Sequence, residues 1–299
     1  MMPDQNPAAG KAPAWKEDEE VQRWKADLNA CIDRMNENRG RPQIRVRRLV
    51  RKTSMQQAVT DPGFILAIAG TVLVLVLGTF TDMLTAFRSK ELLENGFHIT
   101  IIQTAMESDA FTFALPILCA LPFTASYMED IRTGYIKAYL PRTNRRDYMT
   151  GKIVACMASG GLALTIGILL MFGLETLLVL PMERAVDSAQ VSVQHAAWLL
   201  PFLQSLLLID VSGAFWSLVG MVSAAFTDSK YMAYAAPFIF YYLLVILCER
   251  YFKDCYVLYP KEWVRPEHMP FGCWGVVLFV LESSILISGI FVIREEKKL

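Results

Sequence analysis

The chain is poor in the residues that carry out chemistry. It has three histidines in 299 residues, His98, His195 and His268, far apart in sequence. No His-Glu-x-x-His and no pair of glutamates on one helix supplies a metalloprotease site. Six cysteines, Cys31, Cys119, Cys156, Cys248, Cys255 and Cys273, are scattered without metal-ligand spacing. Cys255 and Cys273 flank the last loop; they either pair or pack as small apolar side chains. There is no Gly-x-Ser-x-Gly elbow. Gly151-Lys152 lacks the upstream glycine of a phosphate loop and opens an apolar run. These absences leave no catalytic constellation, no metal site and no ATP-binding device on this chain.

Charge is scarce as well. Only 19% of residues are charged, against 54% apolar, and the mean hydropathy is +0.34. The formal net charge of zero gives no reason to expect a nucleic-acid partner. No apolar core of signal-peptide length occurs in the first sixty or so residues, so the first apolar run is expected to serve as the insertion signal.

What is abundant is apolar sequence in long runs. Six runs approach the roughly 20 residues that cross a hydrocarbon core about 30 Å thick. They cover about 63–81, 110–128, 153–174 or on to 180, 198–226, 231–248 and 271–293. Backbone amides in lipid must be satisfied within their own segment, so each run is expected to be a helix. The expected fold is an all-α membrane protein with six transmembrane helices, organised as a tail and amphipathic helix (1–42), an interfacial helix (43–62) and a spanning domain (63–299).

Lysine and arginine fix the expected orientation. Arg45, Arg47, Arg48, Arg51 and Lys52 precede the first run. Arg132, Lys137, Arg142, Arg145, Arg146 and Lys152 lie between the second and third, and Arg294, Lys297 and Lys298 follow the last. The opposite loops carry fewer: Arg88, Lys90, Arg184, Arg250, Lys253, Lys261 and Arg265. Both termini are therefore expected in the cytoplasm, with the chain multi-pass in the cell membrane.

Residues 1–14 read as a tail rich in proline, alanine and glycine. Over 16–38, Val21, Trp24, Leu28, Cys31, Ile32 and Met35 share one helical face. That helix either packs on cytosolic loops or docks a partner subunit. The basic segment 43–59, interleaved with Ile44, Val46, Leu49 and Val50, reads as an interfacial helix on anionic headgroups.

Two carboxylates fall near run centres, Asp210 in the fourth and Glu282 in the sixth. An acid there costs about 2.5–3.5 kcal/mol on insertion scales. Each is neutral, hydrogen-bonded by groups such as Ser212, Ser283 or Gln204, or faces a wet cavity. Asp210, Glu282 and Gln204 are accordingly candidates for a substrate path, with interhelical hydrogen bonding as the alternative. Gly160, Gly161 and Gly167 are expected to permit close helix approach.

The most informative stretch is the polar interruption Glu129–Lys152. Gly134 can break a helix, Pro141 disfavours its continuation, and Asn144 can cap a new helix beginning at Arg145. A short amphipathic helix along the membrane face results. Its pattern of Glu129, Gly134, Leu140, Pro141, Asn144, Arg145, Tyr148, Gly151 and Lys152 resembles the inner loop of type-two ATP-binding-cassette exporter permeases. The resemblance implies a coupling helix over about 135–146, with Glu129, Gly134, Tyr139, Leu140, Arg142, Asn144 and Arg145 at the interface with a separate ATPase. It also implies two ATPase subunits, a second permease subunit, identical or homologous, and ATP with Mg bound on the partner rather than on this chain. The substrate class it points to is amphipathic or hydrophobic. A proton-coupled secondary transporter using Asp210 and Glu282 is the alternative, with a non-pumping immunity or interaction protein as a third reading.

Overall fold

The computed structural model describes residues 52–89, 96–136, 145–179, 181, 188–252 and 255–298. The chain divides into two units, Met1–Leu49 and Val50–Leu299. The amphipathic helix expected at 16–38 and most of the interfacial helix lie outside the described residues. Of the latter, residues 52–60 are helical and form α1.

Five long helices follow the expected runs. They are α2 (Pro62–Ser89), α6 (Arg145–Val179), α7 (Ser188–Thr227), α8 (Lys230–Arg250) and α9 (Gly272–Lys298). All five are long and apolar enough to cross a membrane. Among the described residues there is no strand.

The second expected span is corrected. Residues 110–128 do not form one helix. Asp109–Leu118 forms the ten-residue α4, residues 119–125 are irregular, and Ser126–Arg132 forms α5. The cause is local. Pro116 sits inside α4. Pro122 has no amide to donate and steers Leu121 away from the helical region, and Phe123 takes a left-handed φ of 47°. The break is tolerated because it is covered by protein: Phe123, Thr124 and Ala125 are buried. Its backbone closes in tight turns, Ala120 N to Ile117 O and Ser126 N to Phe123 O, both 3.2 Å. A short helix, α3 (Phe97–Glu107), precedes α4; Ser108 caps α4 by accepting from Phe111 N at 3.2 Å.

The segment still runs back along α2. Gly78 lies against Ala105 and Ser108, Gly70 against Leu118, and Gly63 against the Leu121 carbonyl. Gly78 to Gly63 is about 22 Å of helix at the usual rise.

Packing follows membrane logic, with apolar bulk outward and small or polar groups inward. On α2, Leu73 and Leu77 are exposed while Ala67, Thr71 and Leu75 are buried. The expected close approaches occur where glycines fall. A Cβ on Gly161 would meet Asp210 O at 2.6 Å, one on Gly160 the Ser217 side chain, and one on Gly167 the Thr71 side chain. Helix α6 is the spine, packing on α2, α3, α7 and α9.

At the end of the bundle formed by the close of α8 and the start of α9, residues 255–271 fold inward. Trp263 stacks on Trp216 with ring centroids 5.7 Å apart and donates to Val257 O at 2.8 Å. Glu262 holds this turn, accepting from the amides of Glu267 and His268 at 2.8 and 3.0 Å. Cys255 and Cys273 are both free thiols, so the pairing read as one option is not formed.

Candidate functional site

The polar interruption begins as α5. That helix stops because Gly134 adopts φ 73° and donates its amide to Ile131 O at 3.2 Å. Glu129 and Arg145 are exposed at the two sides of the interruption. Residues 135–136 are helical. Tyr139, Leu140, Arg142 and Asn144 lie outside the described residues, as does most of the coupling helix expected over 135–146.

Beneath this exposed edge lies a buried polar cluster. Lys152, about two turns into α6, has 3% of its side chain exposed and lies 2.7 Å from Asp130 Oδ2. Its ammonium also donates to Ser126 Oγ at 3.4 Å and sits 4.4 Å from the centre of the Phe123 ring. The Tyr148 hydroxyl donates to the same Asp130 oxygen. A buried lysine without this company would cost several kcal/mol. Here a carboxylate, a hydroxyl and an aromatic face share the charge.

The cluster reaches the other helices. Tyr127 donates its hydroxyl to Glu295 Oε2 on α9 at 2.9 Å and meets Phe291 edge to face. Burial, and then the Glu295 carboxylate beside it, push the Tyr127 hydroxyl well above the usual tyrosine range, so it remains a donor. Arg132 donates to the Asp228 carbonyl at 3.3 Å, in the turn between α7 and α8. Just before α2, Asp61 Oδ2 accepts from the Phe123 amide at 3.4 Å while Oδ1 caps Gly63 N at 3.1 Å. One short segment, 123–132, is thereby tied to α6 and α9, to α7 through Thr124 and Ser217, whose hydroxyls lie 3.3 Å apart, to the turn that opens α8, and to Asp61 just before α2.

No protein family, curated protein or solved structure matches this chain. It is a multi-helix membrane protein with five candidate spans among the described residues.

The acids expected inside the bilayer separate. Asp210 faces α6 and accepts from Thr165 Oγ1 at 3.0 Å. Its partner is thus on a neighbouring helix, whereas Ser212 Oγ is buried without a partner. Glu282 and Gln204 are exposed on the surfaces of α9 and α7. No hydrogen bond or ion pair joins Asp210, Glu282 and Gln204 to one another among the described residues.

Two acids were not singled out by the sequence. Glu295 was masked by its place at the end of the last run. Glu175 is completely buried in α6, and neither of its oxygens has a hydrogen-bond partner among the described residues. Thr79 lies beside it on α2 but donates to Leu75 O at 3.1 Å. A hydropathy scan places Glu175 at the frayed edge of the third run; only the straight continuation of α6 to Val179 buries it.

Proposed function

We propose that this chain is the permease subunit of an ATP-binding-cassette exporter, moving an amphipathic or hydrophobic substrate across the cell membrane. The observation that supports it best is the attachment of segment 123–132 to α6, α7 and α9, to the turn between α7 and α8, and to Asp61 at the entrance of α2. A force applied to Glu129, Gly134 or Arg145 by a cytoplasmic partner would be shared among the helices, not absorbed by a loop. That is the mechanical property a coupling element needs. Nucleotide and Mg belong to the ATPase partner, two copies of which engage a pair of permease chains; this chain contributes no catalytic group. Alternating access then follows from the different affinities of the two permease conformations for the nucleotide-loaded ATPase pair. Asp210, Glu282 and Gln204 are candidates for the substrate path, each on a different local surface.

A buried, unpartnered Glu175 favours a second reading, a carrier driven by an ion or proton gradient. The test is co-expression with the candidate ATPase, purification, and transport in proteoliposomes. Co-purification with ATP-dependent efflux supports the exporter, with Arg145→Glu and Leu140→Asp uncoupling hydrolysis from transport while leaving assembly intact. Efflux abolished by an uncoupler while ATP is maintained would replace it with the carrier. Asp210→Asn and Glu282→Gln that leave efflux unchanged would remove those residues from the path.

A further inference from the structure

A groove of about 470 Å³ runs between α7, α8 and α9, within the size range of small-ligand sites. Its walls are apolar, with Trp216, Val219, Phe226, Met232, Phe240 and Ile287 among them. On α7 it extends from Phe215 to Thr227, about 18 Å of helix at the usual rise. One leaflet of the hydrocarbon core is about 15 Å deep. The groove therefore begins where α7 ends and α8 starts, and stops near mid-span.

The end of the groove at the α7–α8 turn is marked by a cation. The Arg294 guanidinium lies over the Phe226 ring, 3.7 Å from the centroid. Arg294 Nη1 is buried and has no hydrogen-bond partner. No carboxylate among the described residues pairs with it: Glu295 accepts from Tyr127, and Glu296 pairs with Arg146. Lys230 opens α8 at the same end, beside Tyr231. The one acid in the adjoining turn is Asp228. A buried donor facing no acceptor is costly unless something supplies one.

We propose that this groove holds one acyl chain of an anionic phospholipid, with the phosphate at Arg294. The length of the groove matches one leaflet, its lining suits a hydrocarbon chain, and its only charged terminus is positive and has an unused donor. Basic sites between membrane helices select anionic headgroups on this principle. The inference is independent of whether the chain pumps a substrate.

The test uses the full purified chain exchanged into an equal mixture of phosphatidylglycerol and phosphatidylcholine with identical acyl chains. Retained lipid is counted by native mass spectrometry. Wild type is expected to retain phosphatidylglycerol about fivefold over phosphatidylcholine, the selectivity one cation supplies. Arg294→Gln should bring the ratio near one, Arg294→Lys should keep most of it, and Ser223→Trp, which fills the groove, should lower retention of both lipids. Equal retention of both lipids by wild type would overturn the proposal, as would a preference that survives Arg294→Gln. Unchanged retention in Ser223→Trp would place the lipid elsewhere. Efficient Ser223→Cys cross-linking between two chains in membranes would make the groove a self-association surface and also overturn it.

Discussion

Lys152 Nζ sits 2.7 Å from Asp130 Oδ2, joining the start of α6 to the helix that leads into the polar interruption. The lysine is almost wholly buried and the aspartate is one-fifth exposed. The pair divides its cost unevenly, and removing either partner leaves a different charge stranded.

Lys152→Met is expected to destabilise by about 2–3 kcal/mol, and Asp130→Asn by at least as much, because it strands the buried ammonium. The double variant should lose clearly less than the sum of the two. Thermal or chemical unfolding in detergent of the four proteins measures the coupling. Strict additivity would show that the pair contributes no net interaction.

Gly161 and Gly173 sit on one helix and should respond oppositely to alanine. At Gly161 the new methyl would lie 2.6 Å from Asp210 O, so α6 and α7 must part; the expected loss is about 1–3 kcal/mol. At Gly173 nothing lies within 4 Å, and alanine should stabilise by about 0.5–1 kcal/mol. Melting temperatures of the two variants, read side by side, decide whether close packing or helix propensity governs α6.

Gly134→Ala isolates backbone strain from sterics. No atom lies within 4 Å of the added carbon, yet φ is 73°. The expected cost is about 1 kcal/mol, and Gly134→Asn should recover part of it. If alanine and asparagine behave alike in unfolding experiments, the left-handed turn is not held in solution.

Trp263→Ala should cost about 3–5 kcal/mol, since the indole is 2% exposed and packs on Trp216, Phe215 and Phe279. Trp263→Phe should cost less, losing the bond to Val257 O but keeping most of the volume. Equal losses would assign the effect to the hydrogen bond alone. Protease accessibility of residues 255–271 should rise with the alanine variant.

Long-range hydropathy made α2, α6, α7, α8 and α9 legible because each must satisfy its amides within one segment. The break after Leu118 was not, because Leu115–Leu121 stays apolar on both sides of it. Proline alone does not decide the matter, for α8 carries Pro237 and α7 carries Pro201 without breaking. What breaks the chain is Pro122 followed by a left-handed Phe123, and a phenylalanine announces no such turn. In the candidate site, Glu129, Gly134 and Arg145 stood out as loop chemistry, and the structure leaves all three on or near the surface. Asp130 and Lys152 were visible as the two ends of a polar stretch, but their meeting depends on α5 folding back toward α6. Glu175 and Glu295 escaped because acids near the ends of apolar runs look solvated until helix length is known.

Helix α6 contains no proline along its 35 residues, which amounts to about 52 Å of continuous rod. Near one end sits Lys152, held by Asp130; about 35 Å further along sits Glu175, whose carboxyl has no hydrogen-bond partner among the described residues. Such a rod acts as a lever. Pivoted at its middle, a tilt of about one degree would move either end by roughly 0.5 Å, enough to lengthen a hydrogen bond measurably. Whatever grips the Lys152 end can thus be felt at the Glu175 end without passing through any joint, and a buried carboxyl without a hydrogen-bond partner sits near where that movement is largest.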